Sequence, residues 1–361
     1  MQKTRPNDFP NNFDFIRLVA ALLVLVSHQF ALQGLPEPGV QGLHSLGGLG
    51  VLVFFSISGY LVAQSWLNDP HWLRFAARRL LRIVPGLLLV MAACTFILGP
   101  VLTHLSLAEY FSHPLVAKYL VFRSKQLPFV FAGNALPHAV NGALWTIPLE
   151  IACYAVLGLL GLVGCLRSGY GRPALTFALV TTALIYALPE NRGSLVFRSF
   201  LGFVPARYLL EFGLFFFAGS ALCLWRVLEL KRQQTALLLI GTLIAAAIAL
   251  AFNRMFLAVW LMLPLAMVLL GHRTTPFLRR TGRFGDLSYG VYIYAYPVQQ
   301  TIFLLYEDQL GWWTLMALVV AITVLLAFAS WHLVEKPALR YKPSRAGTTA
   351  KQASWPAVAI G

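Results

Sequence analysis

A chain of 361 residues with 58% apolar and only 11% charged side chains is too apolar for an ordinary soluble globule and reads as an integral membrane protein. Its 28 Lys and Arg against 13 Asp and Glu leave a formal charge of +15, which in a polytopic chain collects in cytoplasmic loops and does not point to nucleic acid. Four cysteines, Cys94, Cys153, Cys165 and Cys223, sit in apolar runs without CxxC or Cys/His spacing, so they read as packing residues, with no disulfide framework and no metal site.

Residues 1–12 are polar and read as a cytoplasmic N-terminal segment; the apolar run that follows lacks a convincing cleavage site and is expected to stay as the first span. Runs of about 20 apolar residues suffice to cross the hydrocarbon as helices. In chain order they fall near Phe15–Gln33, Gly47–Trp66, Leu80–His104, Leu144–Leu166 and Pro173–Pro189, then Ala206–Trp225, Thr235–Phe252, Met255–Gly271, Asp286–Tyr306 and Trp312–Val334. Leu115–Val130 is apolar enough for a re-entrant or interfacial segment, and residues 343–361 read as a flexible cytoplasmic tail. The expected fold is therefore an all-α polytopic bundle of about ten transmembrane helices over residues 13–342, with both termini cytoplasmic.

Loop charge supports that orientation. Twenty of the 28 Lys and Arg fall in the inner segments and seven in the outer ones, with Arg17 inside the first span. No repeat links the two halves, which weakens an inverted-repeat transporter reading.

Ionisable side chains inside a bilayer are costly and are usually kept for a site, which reduces the search to Arg17, His28, Glu150, Glu211 and Asp286. Arg17 and His28 are eleven positions apart, on one helical face and separated by roughly 16 Å along the axis. A phosphate-bearing donor held by Arg17 at the inner face could carry its reactive end toward His28 on a long arm, as coenzyme A does, and imidazole suits proton acceptance from a hydroxyl. The plainer alternative leaves Arg17 to the positive-inside rule and His28 to a hydrogen bond with a neighbouring helix. Arg74, Arg78, Arg79 and Arg82 lie on the inner loop leading into the third span, ended by Pro85, with Arg78 and Arg82 on one face and Arg79 flanking it. Guanidinium forks match phosphate oxygens, of a donor or of anionic lipid. Small residues in GGLGVLVFFSISGY (Gly47–Tyr60) allow close helix packing or leave room for a substrate arm.

With these residues in view, the chain resembles the acyltransferase-3 family of bacterial membrane O-acyltransferases, which includes polysaccharide, O-antigen and nodulation-factor acetylases. Five pieces carry the resemblance in the family's order, from Phe13 to about Arg340. They are FDFIRLVAALLVLVSH with Arg17 and His28, GGLGVLVFFSISGYL, RRLLRIVP with Arg79 and Arg82, LWTIPLEIACY with Trp145 and Glu150, and GDLSYGVYIYAYPV followed by SWHLVEKPAL. The resemblance implies transfer of an acyl group, usually acetyl, from cytoplasmic acyl-CoA as a co-substrate to a sugar hydroxyl, with His28 and the paired arginines as functional positions. Many members have a His where this chain has Ala295, which shifts weight to His28.

The resulting expectation assigns catalysis to His28 and Glu150, donor binding to Arg17, Arg78, Arg79 and Arg82, and acceptor binding to Trp145 and Asn141. Glu150 could orient an imidazole or bind sugar hydroxyls, and Trp145 could stack on a sugar or belong to an aromatic belt. Asn134, His138 and Asn141 lie in a long outer loop, residues 105–143, that suggests an acceptor-binding element. Structural readings lead for His138, for Glu211 paired with Arg207, for Asp286 at a helix start, and for Glu335 paired with Lys336 or inner arginines. The expected partners are acyl-CoA, a polysaccharide or lipid-linked oligosaccharide and membrane lipids, in a bacterial inner membrane. A transporter or flippase is the rival function, and the paired arginines with the Arg17–His28 spacing speak for the enzyme.

Overall fold

The computed structural model describes residues 11–40, 43–137, 139–167, 169–188, 199–200, 204–306 and 309–343. His138, nearly all of the N-terminal segment and nearly all of the tail lie outside them. Among the described residues every regular element is helical except two hairpins of two-residue strands, Gly39–Val40 with His44–Ser45 and Ser199–Phe200 with Val204–Pro205.

Helices α1 (Phe13–Leu32), α2 (Leu46–Asn68) and α3 (Trp72–Ala93) come first, and α3 continues through a π turn to Leu102. Two short helices, α4 (Leu107–Ser112) and α5 (Pro114–Leu120), follow, and a 3-10 turn over Gly142–Thr146 leads into α6 (Ile147–Leu162). Then come α7 (Gly171–Tyr186), α8 (Ala206–Leu224), α9 (Arg232–Ala251), α10 (Met255–His272), α11 (Ser288–Tyr306) and α12 (Trp312–Ser330), the last continuing to Leu339.

Among the described residues, eight helices are long and apolar enough to cross a membrane. Of the ten expected spans, α7 and α11 do not meet that description. α7 has only 16 residues. α11 carries Tyr289, Tyr292, Tyr294, Tyr296, Pro297, Gln299 and Gln300, and nearly all of its residues from Ser288 to Phe303 are buried. A helix enclosed by other helices need not be apolar, because protein rather than lipid satisfies its polar groups. The third helix also departs from expectation. It begins at Trp72, so the four arginines lie on its first turns and not in a loop, and it runs through Pro85 without ending there. Leu115–Val130 forms α5 and irregular chain, with neither α4 nor α5 long enough to cross.

Packing centres on α2, which lies between α1 and α8, while α11 packs on α1 and α12. Small residues allow these approaches. A Cβ on Gly59 would stand 1.8 Å from the Phe216 carbonyl oxygen of α8, and one on Gly219 would stand 2.0 Å from the Ser56 oxygen of α2. Ser220 Oγ donates to the Gly59 carbonyl at 3.0 Å across the same contact. The packing role expected for Gly47–Tyr60 is therefore met along one face of α2, while Ser58 on another face lines a cavity. The four cysteines are free thiols, and Cys94, Cys153 and Cys223 are buried.

Because Gly59 has no room for a methyl, Gly59→Ala should lower the melting temperature of the detergent-solubilised protein, at a cost of about 1–3 kcal/mol for overpacking. Gly241→Ala on α9, where nothing lies within 4 Å of the Cβ position, should leave the melting temperature unchanged or raise it.

Candidate active site

At the end of the bundle holding the α3 arginines, a cavity of about 300 Å³ opens between α1, α2, α3, α6, α11 and the chain after α12. Its charged lining is Arg17, Arg79, Arg82 and Lys342 against Glu150 and Asp286. Asp286 is shared: Arg17 Nη1 donates to it at 2.9 Å, Arg82 Nη2 donates to the same carboxylate oxygen, and Ser288 Oγ donates to the other at 2.7 Å. Arg82 also lies over the Tyr289 and Trp331 rings, 5.8 and 5.7 Å from their centroids. Arg79 has no ion pair among the described residues; its guanidinium lies 5.9 Å from the Tyr154 ring centroid and its buried Nε has no hydrogen-bond partner. An arginine left this way beside an open cavity is available to an anion entering it. Glu150 accepts from Ser58 Oγ at 3.2 Å and from the Tyr154 hydroxyl.

Lys342 closes the set from the chain beyond α12. Burial pushes its ammonium down to about 8, and the neighbouring Arg82, Arg79 and Arg78 push the same way against Asp286. Arg78, one turn before Arg82 on α3, does not line the cavity. It joins Arg74 on Asp69 at 2.7 and 2.6 Å, and the two guanidiniums, Arg74 foremost, hold that carboxyl well below the usual carboxylate range. Arg78 and Arg82 stand one turn apart on the continuous helix, as expected, yet their partners differ: Arg79 and Arg82 line the cavity, whereas Arg74 and Arg78 bind Asp69.

A narrow neck of about 50 Å³ leads on from this cavity and shares Arg17, Ser58, Glu150 and Tyr289 with it. Thr146 and Tyr292 also line the neck. The Thr146 hydroxyl lies 2.6 Å from the Tyr292 hydroxyl, which in turn donates to the Ala143 carbonyl at 3.0 Å. One turn further along α11, Tyr296 lies over Gly142 and meets His28 edge-on, with ring centroids 5.1 Å apart. His28 is half-buried, and its Nδ1 is buried without a hydrogen-bond partner. The hydrogen bond to a neighbouring helix that would make His28 purely structural is not formed at that nitrogen. His28 does not line the cavities described here; it stands beside the column they make along α6, one turn above the neck.

Trp145 and Asn141 both line a third cavity, of about 390 Å³, beyond the neck. Trp145 is wedged against Tyr208 and Phe212, with centroids at 4.9 and 5.7 Å. The Asn141 side chain is held by Ile293, whose carbonyl accepts from Nδ2 at 2.8 Å, and by the Ala143 amide at 3.3 Å, so it braces the turn before α6 against α11. Asn134 likewise binds the Gln300 carbonyl, at 2.9 Å. Glu211 does approach Arg207, at 3.8 Å, but its nearer partners are His44 Nε2 at 3.0 Å and the Tyr186 hydroxyl at 2.8 Å. Glu335 accepts from Ser330 at 2.8 Å, and among the described residues it pairs with neither Lys336 nor an arginine.

Sequence reasoning brought Arg17, Arg79 and Arg82 to one place, but it expected Glu150 at the outer end of the fourth span, whereas the carboxylate lines the cavity of those arginines. It missed Asp286 as the shared counter-ion, and Ser58, Tyr154, Tyr289, Trp331 and Lys342 as lining. Asp286, Tyr289 and Trp331 were within reach, since they stand in two of the quoted motifs.

An acyltransferase domain model, that of the acyltransferase-3 family, matches residues 11–332, so the chain belongs to that family and is an acyl-transferring enzyme of the membrane. It is 36% identical over 333 residues to an O-acetyl transferase of Shigella phage Sf6, covering 90% of this chain and 95% of that one. It is 27% identical over 363 residues to Nodulation protein 10 of Rhizobium leguminosarum bv. viciae, covering 92% and 94%. No solved structure matches it. Family membership favours the enzyme over the transporter that the helix count alone would also allow.

Proposed function

We propose that this enzyme is an O-acetyltransferase of a bacterial inner membrane, moving an acetyl group from cytoplasmic acyl-CoA to a hydroxyl of a cell-surface glycan or lipid-linked oligosaccharide. The observation that carries the donor half is the cavity in which, among the described residues, Arg79 and Lys342 form no ion pair, beside an Arg17–Asp286–Arg82 group that itself keeps one positive charge in excess. That arrangement suits the phosphates of coenzyme A, and the neck past Glu150 suits a thin pantetheine arm. The named relative from Shigella phage Sf6 supports O-acetyl transfer, and the excess of cations at the arginine end supports placing that end in the cytoplasm with both termini and ten crossing helices.

In the reaction so read, the imidazole of His28 takes the proton of the acceptor hydroxyl, the oxygen attacks the thioester carbonyl, the C–S bond breaks and coenzyme A leaves as the thiolate. Alternatively, His28 itself receives the acyl group and then passes it to the hydroxyl. On either route the arm must pass Thr146 and Tyr292, which line the neck with their hydroxyls hydrogen-bonded, one turn of α11 before the Tyr296 that meets His28, so we expect this pair to part when the donor binds. Glu150 is hydrogen-bonded to Ser58 and Tyr154 at the neck, where it shapes the passage of the arm.

Kinetics on purified protein should separate the two groups. His28→Ala should lower kcat by about 10²–10⁴-fold with the KM for acetyl-CoA little changed. Arg79→Ala should raise that KM by roughly 10- to 100-fold, the value of one charge-assisted phosphate contact of about 1.5–3 kcal/mol. Full turnover in His28→Ala, or an unchanged donor KM in Arg79→Ala, contradicts the assignment.

Lys342 gives the donor site a pH dependence. Its ammonium is charged at pH 7 and is lost as pH rises through about 8, so coenzyme A affinity, read by calorimetry, should fall between pH 7 and pH 9.5. Lys342→Arg, which keeps its charge throughout that range, should flatten the fall; an equal fall in wild type and variant removes Lys342 from the site.

A further inference from the structure

The third cavity has a charge pattern that the donor site does not explain. Lys118, Arg123 and Lys125 line it together with Trp145, and no carboxylate is among its lining residues. Among the described residues none of the three cations forms an ion pair. On the proposed orientation this is the outer face, where cations are disfavoured, so topology supplies no reason for them.

The backbone holds them in place. Phe122 adopts φ +61°, uncommon for a bulky side chain, and this left-handed residue ends α5 so that the Arg123 amide donates to the Lys118 carbonyl at 2.7 Å. Two residues on, the Lys125 carbonyl accepts from the Val140 amide at 2.8 Å, which fastens the cationic segment beside Asn141 and the Trp145 wall. A side-chain amide of Gln300 on α11 in turn anchors the chain just before Val140 through the Leu136 and Ala139 carbonyls at 2.9 and 3.0 Å. Three cations therefore face one cavity whose other wall is an immobilised indole, a surface suited to stacking on a sugar ring. Uncompensated cations around a concave site concentrate anions there.

We infer that this cavity is the acceptor subsite and that it selects an acceptor bearing a negative charge beside the sugar, either an acidic sugar residue or the diphosphate joining a glycan to its lipid. The inference rests on the proposed function for the identity of the occupant as an acyl acceptor; the preference for an anion rests on the cavity alone.

The test uses the full chain in phosphatidylcholine nanodiscs and four probes: farnesyl diphosphate, farnesol, a glucuronate-containing tetrasaccharide and a neutral tetrasaccharide. At least one charged probe should bind ten-fold or more tightly than its neutral counterpart, with the preference weakening as salt rises. Preference for the diphosphate identifies the lipid carrier as the source of the charge, and preference for the glucuronate identifies the sugar. Lys118→Gln, Arg123→Gln and Lys125→Gln together should abolish the preference while coenzyme A still binds, and Lys118→Arg with Lys125→Arg should keep it. Should the glutamine variant fail to bind coenzyme A, the salt series and the arginine variant decide. Equal affinity for charged and neutral probes, or a preference that survives in a glutamine variant still binding coenzyme A, overturns the inference. An intact preference with no acyl transfer to any glycan would instead leave the cavity assigned and refute the proposed function.

Discussion

One carboxylate between two guanidiniums fixes the geometry of this protein's functional end. Asp286 receives Arg17 from α1 and Arg82 from α3 and is itself bound by Ser288 at the start of α11. All three charged groups are largely removed from water, with side-chain exposures of 15–19%. A buried ion group of this kind contributes less to net stability than to position, because desolvation offsets much of the attraction, whereas removing Asp286 leaves both guanidiniums uncompensated, at about 3–5 kcal/mol or more. Three helices distant in sequence are thereby held at one point, and the cavity forms between them.

The second consequence concerns which charges remain. Of the four cations at the cavity, Arg17 and Arg82 share the single carboxylate of Asp286, which offsets one of their two charges, and Arg82 also lies over two aromatic rings. Arg74 and Arg78 share Asp69 outside it. What the cavity offers to an incoming anion is Arg79 and Lys342, which form no ion pair among the described residues, together with the charge left over from the Arg17–Asp286–Arg82 group. An arginine pair that looks equivalent in sequence is thus divided between positioning and binding. Above it, the turn before α6 and α6 itself carry Asn141, Trp145, Thr146, Glu150 and Tyr154, which line the three cavities in succession, so one element connects the two ends.

Much of this was legible in the chain. Apolar runs located eight helices, and the spacing of Arg17 from His28 correctly placed both on one helix with the imidazole far from the arginine. The burial of α11 was not legible, since a tyrosine- and glutamine-bearing helix scores poorly as a lipid-facing span, and only tertiary packing shows that it is enclosed by protein. The different fates of Arg78 and Arg79 depend on where α3 begins, and its start at Trp72 places the arginines on a helix whose phase decides which of them meets Asp69. Asp286 was read as a helix-start residue because its partners are 269 and 204 positions away. Lys342 looked like one more cytoplasmic charge for the same reason: the fold of the chain past α12 brings it back over α3.

The most direct test of the central claim, that the cavity at the arginine end receives the acyl donor and the column above it leads to His28, is a structure of the full chain bound to a non-hydrolysable acetyl-CoA analogue. The account predicts the diphosphate against Arg79 and Lys342, the arm passing Glu150 with the Thr146–Tyr292 contact opened, and the acyl carbon beside the His28 ring. Donor density outside this cavity, or an acyl carbon that ends below a closed Thr146–Tyr292 contact in a complex competent to transfer once acceptor is added, would contradict it.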